Sequence, residues 1–227
     1  MRVHKDMKQR IDNIIKLIKS ASGRYSPHQV FSDWVCMMAI SIANSCTFHR
    51  NKVYEDREET FKLVANKYSK DEYEKLAEAT AYLIEEMEEP RDILGEIYMG
   101  GSFGSKAIGQ FFTPYHLSEV TAELAYGKNL TRAEDGKYHA HEPSCGAGGM
   151  IIALATILKK NGINYQRELE VVAQDLDWKC VYMCYVQLSL MGISAVVVQG
   201  DTLTEPYSKD TPEHRVLYTP KKRGALI

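Results

Sequence analysis

The sequence has no excess of either charge. Its 28 Lys and Arg stand against 30 Asp and Glu, a formal net charge of −2 over 227 residues. A chain so balanced has no overall positive field to hold nucleic acid non-specifically, so any contact with DNA needs a local patch or a partner. It also lacks a long apolar run. The most hydrophobic stretch, Val30 to Phe48, is broken by Asp33, Ser41, Asn44 and Ser45. A membrane span needs roughly 20 mostly apolar residues, so this stretch predicts a buried core helix. The opening residues Met1 to Lys8 are polar, with no apolar segment or small-residue cleavage site. That is unlike a secretory signal and predicts a cytoplasmic protein. The five cysteines are an odd number without Cys-x-x-Cys spacing, which argues for reduced thiols and against a disulfide framework. Cys180 and Cys184, at i, i+4, have no matching His pair, so no metal site is expected. Finally, no two of the seven prolines are adjacent.

What is present fits a globular α/β chain. Apolar residues make up 44% and charged residues 26%, ordinary values that exclude global disorder. The length suits one domain with a helical extension. Residues 1–95 predict an all-helical region. Ile11, Ile14, Ile15 and Ile18 recur at helical spacing, and Val30, Trp34, Met37, Met38 and Ile42 form a second stripe. A third helix is expected over 58–68. Ser69 and Glu72 form a capping-box signal for a fourth, running to about Met87. Gly100 to Lys106 predicts a flexible connector.

Residues 96–227 then read as a second region with strands alternating with helices. Thr113-Pro114 predicts a helix N-cap with Pro at the first helical position. Tyr138–Glu142, Leu169–Ala173 and Ala195–Gln199 predict strands, with helices over 150–160 and 177–191 between them. That alternation implies a parallel sheet of the doubly wound kind. The first strand ends in Glu142 and meets Gly146-Ala147-Gly148-Gly149. Glycines there let a backbone approach a ligand closely, although a structural turn is the commoner explanation of Gly-x-Gly-Gly when it stands alone. Asp175 follows the second strand, where a carboxylate can accept from both hydroxyls of a ribose. Asp201 follows the third and can accept from an adenine amine. Three strand ends in register define one pocket for an adenosine-type ligand.

The order of these segments resembles a family. Gly109-Gln110-Phe111-Phe112-Thr113-Pro114 is similar to the Gln-aromatic-Phe-Thr-Pro signature of type I restriction-modification DNA adenine methyltransferase subunits. Glu142-Pro143-Ser144-Cys145-Gly146-Ala147-Gly148-Gly149 resembles their S-adenosylmethionine loop. Ala173-Gln174-Asp175, Gly200-Asp201-Thr202-Leu203 and the preceding Asp92-Ile93-Leu94-Gly95-Glu96-Ile97-Tyr98 resemble neighbouring motifs, so the likeness runs from Arg91 to Leu203. It implies a Rossmann-like methyltransferase sheet, S-adenosyl-L-methionine as cofactor, and DNA methylation alongside partner subunits. It also implies roles for individual residues. Gln110, Phe111, Phe112, Thr113 and Pro114 would line the methionine side, the two aromatics beside the sulfonium cation or, in the plainer reading, as a core staple. Glu142 would meet the amino group, with Ser144, Gly146, Ala147 and Gly148 beneath the cofactor. Asp175 would bind the ribose with Leu176 beside the adenine, and Asp201 would bind the adenine amine with Thr202 adjacent.

The family's target-adenine motif is Asn, Asp or Ser, then Pro-Pro, then an aromatic. Without adjacent prolines, its nearest counterpart is Thr219-Pro220, followed by Lys221 and Lys222. Only 26 residues follow Asp201, which predicts a truncated sheet with a fourth strand at its edge. An uncovered edge invites pairing with another chain, as a homo-oligomer or a hetero-complex. Lys209, Arg215, Lys221, Lys222 and Arg223 read as a phosphate-facing patch or a solvated terminus. Two functions are implied: a DNA adenine methyltransferase of the modification-subunit kind, or a cofactor-binding or regulatory module without transfer. A dinucleotide oxidoreductase is disfavoured because the spacing is not Gly-x-Gly-x-x-Gly.

Overall fold

The computed structural model describes residues 2–104, 112–127 and 130–224. Five helices come first: α1 (Arg2–Ser20), α2 (Pro27–Ser45), α3 (Lys52–Ala65), α4 (Lys70–Glu86) and α5 (Ile93–Gly100). Helix α6 (Tyr115–Tyr126) leads into β1 (Tyr138–Glu142), α7 (Gly149–Lys160), the short α8 (Tyr165–Glu168), β2 (Leu169–Asp175), α9 (Trp178–Leu190), β3 (Ser194–Gln199) and β4 (Val216–Tyr218). Local chemistry sets several of these boundaries. The Ser69–Glu72 capping box forms as expected. Helix α3 begins earlier than its apolar pattern suggests, because the Asn51 side chain accepts from the Tyr54 N–H. Thr113 is not a cap: Pro114 occupies that position and α6 starts at Tyr115 without a side-chain cap bond. The expected connector after Gly100 is not simply flexible. Phe103 is fully buried, and its ring stacks on Phe31 with centroids 5.0 Å apart.

The strand order is β1-β2-β3-β4, with β1, β2 and β3 parallel. Each strand step moves the same way across the sheet, and right-handed crossovers then put α7 and α9 on one face. There Val171, Ala173, Ala195, Val197 and Leu217 join the main core with Ile151, Leu158, Val181 and Leu188. Helix α2 packs on the far side of α9, α5 contacts both α9 and α1, and α6 packs on α7. The molecule is therefore layered as sheet, crossover helices, helical region. Among the described residues, the other face of the sheet carries a small cluster of Val196, Val198 and Val216 under Tyr207 and Tyr218.

One strand departs from the expected parallel sheet. β4 lies at an edge as anticipated, but it pairs antiparallel to β3, with Val196 opposite Tyr218 and Val198 opposite Val216. The connection from Gly200 to Arg215 contains one 3-10 turn, Glu213–Arg215, and no crossover helix. A chain that turns back without crossing over can pair only in the antiparallel sense.

The helical region is organised around a buried carboxylate. Asp33, 5% exposed, accepts from Lys67 Nζ at 3.1 Å, Tyr68 OH at 2.7 Å and Gln29 Nε2 at 2.9 Å. Replacing it strands three donors, of which Lys67 still reaches water. Asp33→Ala is expected to cost about 2–3 kcal/mol, read as a lower urea midpoint at unchanged slope.

Candidate functional site

Parallel strands place their carboxyl ends together, and the conspicuous residues of the sequence meet at that edge. Glu142 ends β1, Asp175 ends β2, and Asp201 and Thr202 follow β3. Hydrogen bonds tie the three ends to one another. The Cys145 N–H donates to the Gln174 carbonyl at 2.9 Å, and the Gly200 N–H to the Asp175 carbonyl at 2.9 Å. Thr202 Oγ1 donates to the Pro143 carbonyl at 2.7 Å. Asp175 is the centre of the arrangement. Its Oδ2 accepts from the Gly146 N–H at 2.9 Å and its Oδ1 from the Asp177 N–H at 3.0 Å. Each carboxylate oxygen has two lone pairs, so both can still accept from a ligand hydroxyl.

The glycine loop has the shape its residues permit. Gly146 and Gly148 both have positive φ, 53° and 94°, a region costly for residues with a Cβ. Gly148 is the N-cap of α7 and, lacking a side chain, provides no cap bond. The first amides of α7 are thus left to a ligand or to water. Burial pushes the Glu142 carboxyl above its usual range. The Ser144 backbone N–H partly offsets this, and the charge of Asp175 adds to the rise. Burial, the main cause, favours the neutral acid, and a cation placed beside Glu142 would restore its charged form.

Not every expected site residue arrives at this edge. Gln110 and Phe111 lie outside the described residues. Phe112 does reach the loop: a Cβ on Gly146 would stand 3.1 Å from its ring. Thr113 and Pro114 are both exposed just before α6. Together with Phe112 they line a cavity of about 1250 Å³ bounded also by Asp92, Glu96 and Glu119. Ser144 is exposed, and Ala147 and Gly148 are buried within the turn. Leu176 and Leu203 are 67% and 93% exposed, leaving two bare apolar side chains beside Asp175 and Asp201. Thr219 and Pro220 are misplaced as a counterpart of the target-adenine motif. Because β4 runs antiparallel, they lie beside the start of β3. Thr219 is fully buried there, donating through Oγ1 to the Ile193 carbonyl at 2.8 Å and accepting from the Ala195 N–H at 2.9 Å. The length of β3, roughly 15 Å, separates them from Asp201. The basic tail is partly neutralised: Arg215 pairs with Glu205, Lys222 with Glu170 at 2.6 Å, and Arg223 lies over Tyr218.

Some residues of the site have no obvious motif. Phe112 rests on Tyr98, ring centroids 4.8 Å apart, and Tyr98 on Phe31 at 5.4 Å. Lys179, buried one turn past Asp175, donates to Tyr98 OH at 3.0 Å and lies over its ring. The sign that could have revealed it is Asp177, which caps α9 on the Lys179 N–H. Among the described residues, no group of three or more His, Cys, Asp or Glu is arranged to hold a metal ion, and no helix is long and apolar enough to cross a membrane.

A parallel sheet with a glycine loop and acidic strand ends at one edge defines a Rossmann-like nucleotide-cofactor fold. The family described as N-6 DNA Methylase matches residues 89–221, more than half of the sequence, and the chain belongs to that family. The type I restriction enzyme MpnII methylase subunit of Mycoplasma pneumoniae is 26% identical over 133 residues. That alignment covers 55% of this chain and 22% of the relative, so the chain spans about a fifth of that protein's length. Among solved structures, a Listeria monocytogenes protein assigned to the class I S-adenosylmethionine-dependent methyltransferases shares the fold. Its TM-score is 0.50 at 11% identity, over 93% of this chain and 67% of that one.

The loop geometry gives a direct test. A Cβ at position 148 meets Cys184 Sγ at 3.2 Å and sits on a left-handed backbone. Gly148→Ala is expected to lose about 1–2 kcal/mol of stability, measured by chemical denaturation.

Proposed function

We propose that the chain is the S-adenosylmethionine-binding part of a DNA adenine-N6 methyltransferase of the restriction-modification kind, acting with partner subunits. The observation that carries this is the meeting of Glu142, Asp175, Asp201 and the glycine loop at one sheet edge in a chain of the N-6 DNA Methylase family. The chemistry of the edge fits the cofactor. Its ammonium and sulfonium are cations, matched by the Glu142 and Asp175 carboxylates at the strand ends. Ribose hydroxyls donate to Asp175 beside the Gly146 N–H. The adenine ring lies against Leu176, with its amine on Asp201 and Thr202 alongside. Ser144, Ala147 and Gly148 form the floor, and Gln110, Phe111, Phe112, Thr113 and Pro114 close the methionine side. When bound, the cofactor supplies an electrophilic methyl group.

The division of labour runs along the same line. Residues 1–95 serve as a helical platform and residues 96–227 as the cofactor region, in a cytoplasmic assembly that holds DNA. The target-adenine contacts come from outside Thr219 and Pro220, which are buried at the far edge. A partner subunit or another segment then presents the base, and the edges of the sheet, β1 and β4, are where an added chain can pair. Tritiated methyl transfer to DNA, with and without a specificity partner, separates the readings. Cofactor binding with no transfer in either case assigns the chain as a regulatory or cofactor-binding module instead.

Two outcomes are expected in calorimetry. Asp175→Asn should weaken S-adenosylmethionine binding by about 1–3 kcal/mol, through lost acceptors for ribose and for Gly146. Equal affinity would remove Asp175 from the pocket. Affinity should also fall as pH drops toward the ordinary glutamate range, with the loss beginning above the free value of about 4.3. Glu142 titrates above a free glutamate, so it becomes neutral early and ceases to attract a cation. Glu142→Gln should bind weakly and show little slope over that range. A wild-type affinity that is flat with pH would exclude Glu142 from the cation site.

A further inference from the structure

We propose that Gln187 is the positioning residue of the glycine loop, and that through it the helical region sets the loop's geometry. The proposal rests on the cofactor reading of that loop. Gln187 lies in α9 and is fully buried. Its Oε1 accepts from the Leu94 N–H at 2.9 Å. Its Nε2 donates to Asp92 Oδ1 at 2.8 Å and to the Ala147 carbonyl at 2.7 Å. A carboxamide has two N–H donors, so both are used, and only this orientation of the amide faces two acceptors with donors.

The network joins three segments distant in sequence: α5, α9 and the loop. Asp92 is the N-cap of α5 and also accepts from the Gly95 N–H at 2.9 Å. Its carboxylate needs glycine on both sides. A Cβ at Gly95 would lie 2.1 Å from it and one at Gly149 would lie 3.2 Å away. Buried polar groups satisfied in this way are rigid, because every alternative position leaves one of them without a partner.

The consequence falls on one peptide group, between Ala147 and Gly148. Its N–H donates to the Cys145 carbonyl at 2.7 Å, and its carbonyl is held by Gln187. Both ends of the peptide plane are thereby fixed. Gly148 accepts the resulting φ of 94°, and the next residues open α7 without a side-chain cap. A turn of this plane would re-aim the first amides of α7 and lift the floor of the loop. Gln187 touches no ligand position in the proposed pocket. It acts through the loop.

The test uses the full chain. Gln187→Met keeps length and flexibility but removes both donors. Three quantities are compared with wild type: global stability in urea, amide hydrogen exchange, and S-adenosylmethionine affinity by calorimetry. The expected result is exchange at the Gly146 and Gly148 amides about tenfold faster, with the Gly101 amide at the end of α5 within about twofold, and affinity about tenfold weaker. If loop and α5 amides loosen together, in proportion to lost global stability, Gln187 is a core strut and the proposal is overturned. If wild type does not bind the cofactor, the cofactor reading fails while loop exchange still decides the positioning role. Should the variant not fold, the side-chain amide resonances of Gln187 in the wild-type protein decide it. They are expected to exchange slowly and to shift when cofactor saturates the loop. Unshifted Gln187 signals beside shifted Gly146 and Gly148 signals would overturn the proposal.

Discussion

Neighbouring parallel strands cannot be joined by a tight turn, so the chain between β1 and β2, and again between β2 and β3, must cross over outside the sheet. Most of the architecture depends on that constraint. It delivers three strand ends to one edge, and it places α7 and α9 on the same face because both steps move in the same direction. At the edge the chain has unpaired backbone groups and short turns, so side chains there can bond across strands. Asp175 reaches the Gly146 N–H and Thr202 reaches the Pro143 carbonyl. The site is thus a by-product of topology before it is a matter of particular residues. The same constraint explains β4. With no crossover after β3 the chain returns antiparallel and carries Thr219 away from the functional edge.

The helical region is part of the site's construction. Helix α9 is covered by the sheet on one side and by α2 and α5 on the other. A row of aromatic rings, Phe31 to Tyr98 to Phe112, leads from the helical core to Gly146. Tyr98 is held from the other side by Lys179. A ring packed against a glycine loop needs a fixed backing, since close-packed interiors transmit small shifts. Phe112 therefore takes its position from Phe31 and Tyr98, which belong to helices well before the sheet begins.

A feature is legible in the sequence to the extent that it is local. β1 can be placed residue for residue because a glycine turn marks its end, and β3 is visible as consecutive valines. The acidic strand ends can be read for the same reason: a strand followed by Asp is a local pattern. Direction is not legible. The three residues of β4 read the same in either sense, and only the connection decides. Helix α3 is expected too late in the chain because Val53 to Glu59 is mostly polar, so periodicity fails where the Asn51 cap succeeds. Phe103 is hidden in a glycine-rich segment whose composition suggests a loop, although its ring is core. Asp175 is visible, but its bond to Gly146 spans 29 residues and is not. Gln187 has a faint signal. It is the one carboxamide side chain in the run from Val181 to Leu190, and a buried amide in such a helix requires partners.

The charge of the functional edge bears on how DNA can approach the proposed site. Glu142, Asp175, Asp177 and Asp201 gather there, and this suits a cationic cofactor while repelling phosphate. Two cations of the tail, Arg215 and Lys222, are already committed to Glu205 and Glu170. Backbone phosphates dominate affinity for DNA, so an acidic edge cannot hold a duplex by itself. On the proposed reading the two tasks are therefore separated in space. This chain holds the methyl donor in an acidic, glycine-lined edge, and positive charge on another surface or subunit holds the duplex. The base alone must then cross the gap. That is physically reasonable for a base turned out of the stack, because the neutral base enters the acidic edge while its phosphates stay outside.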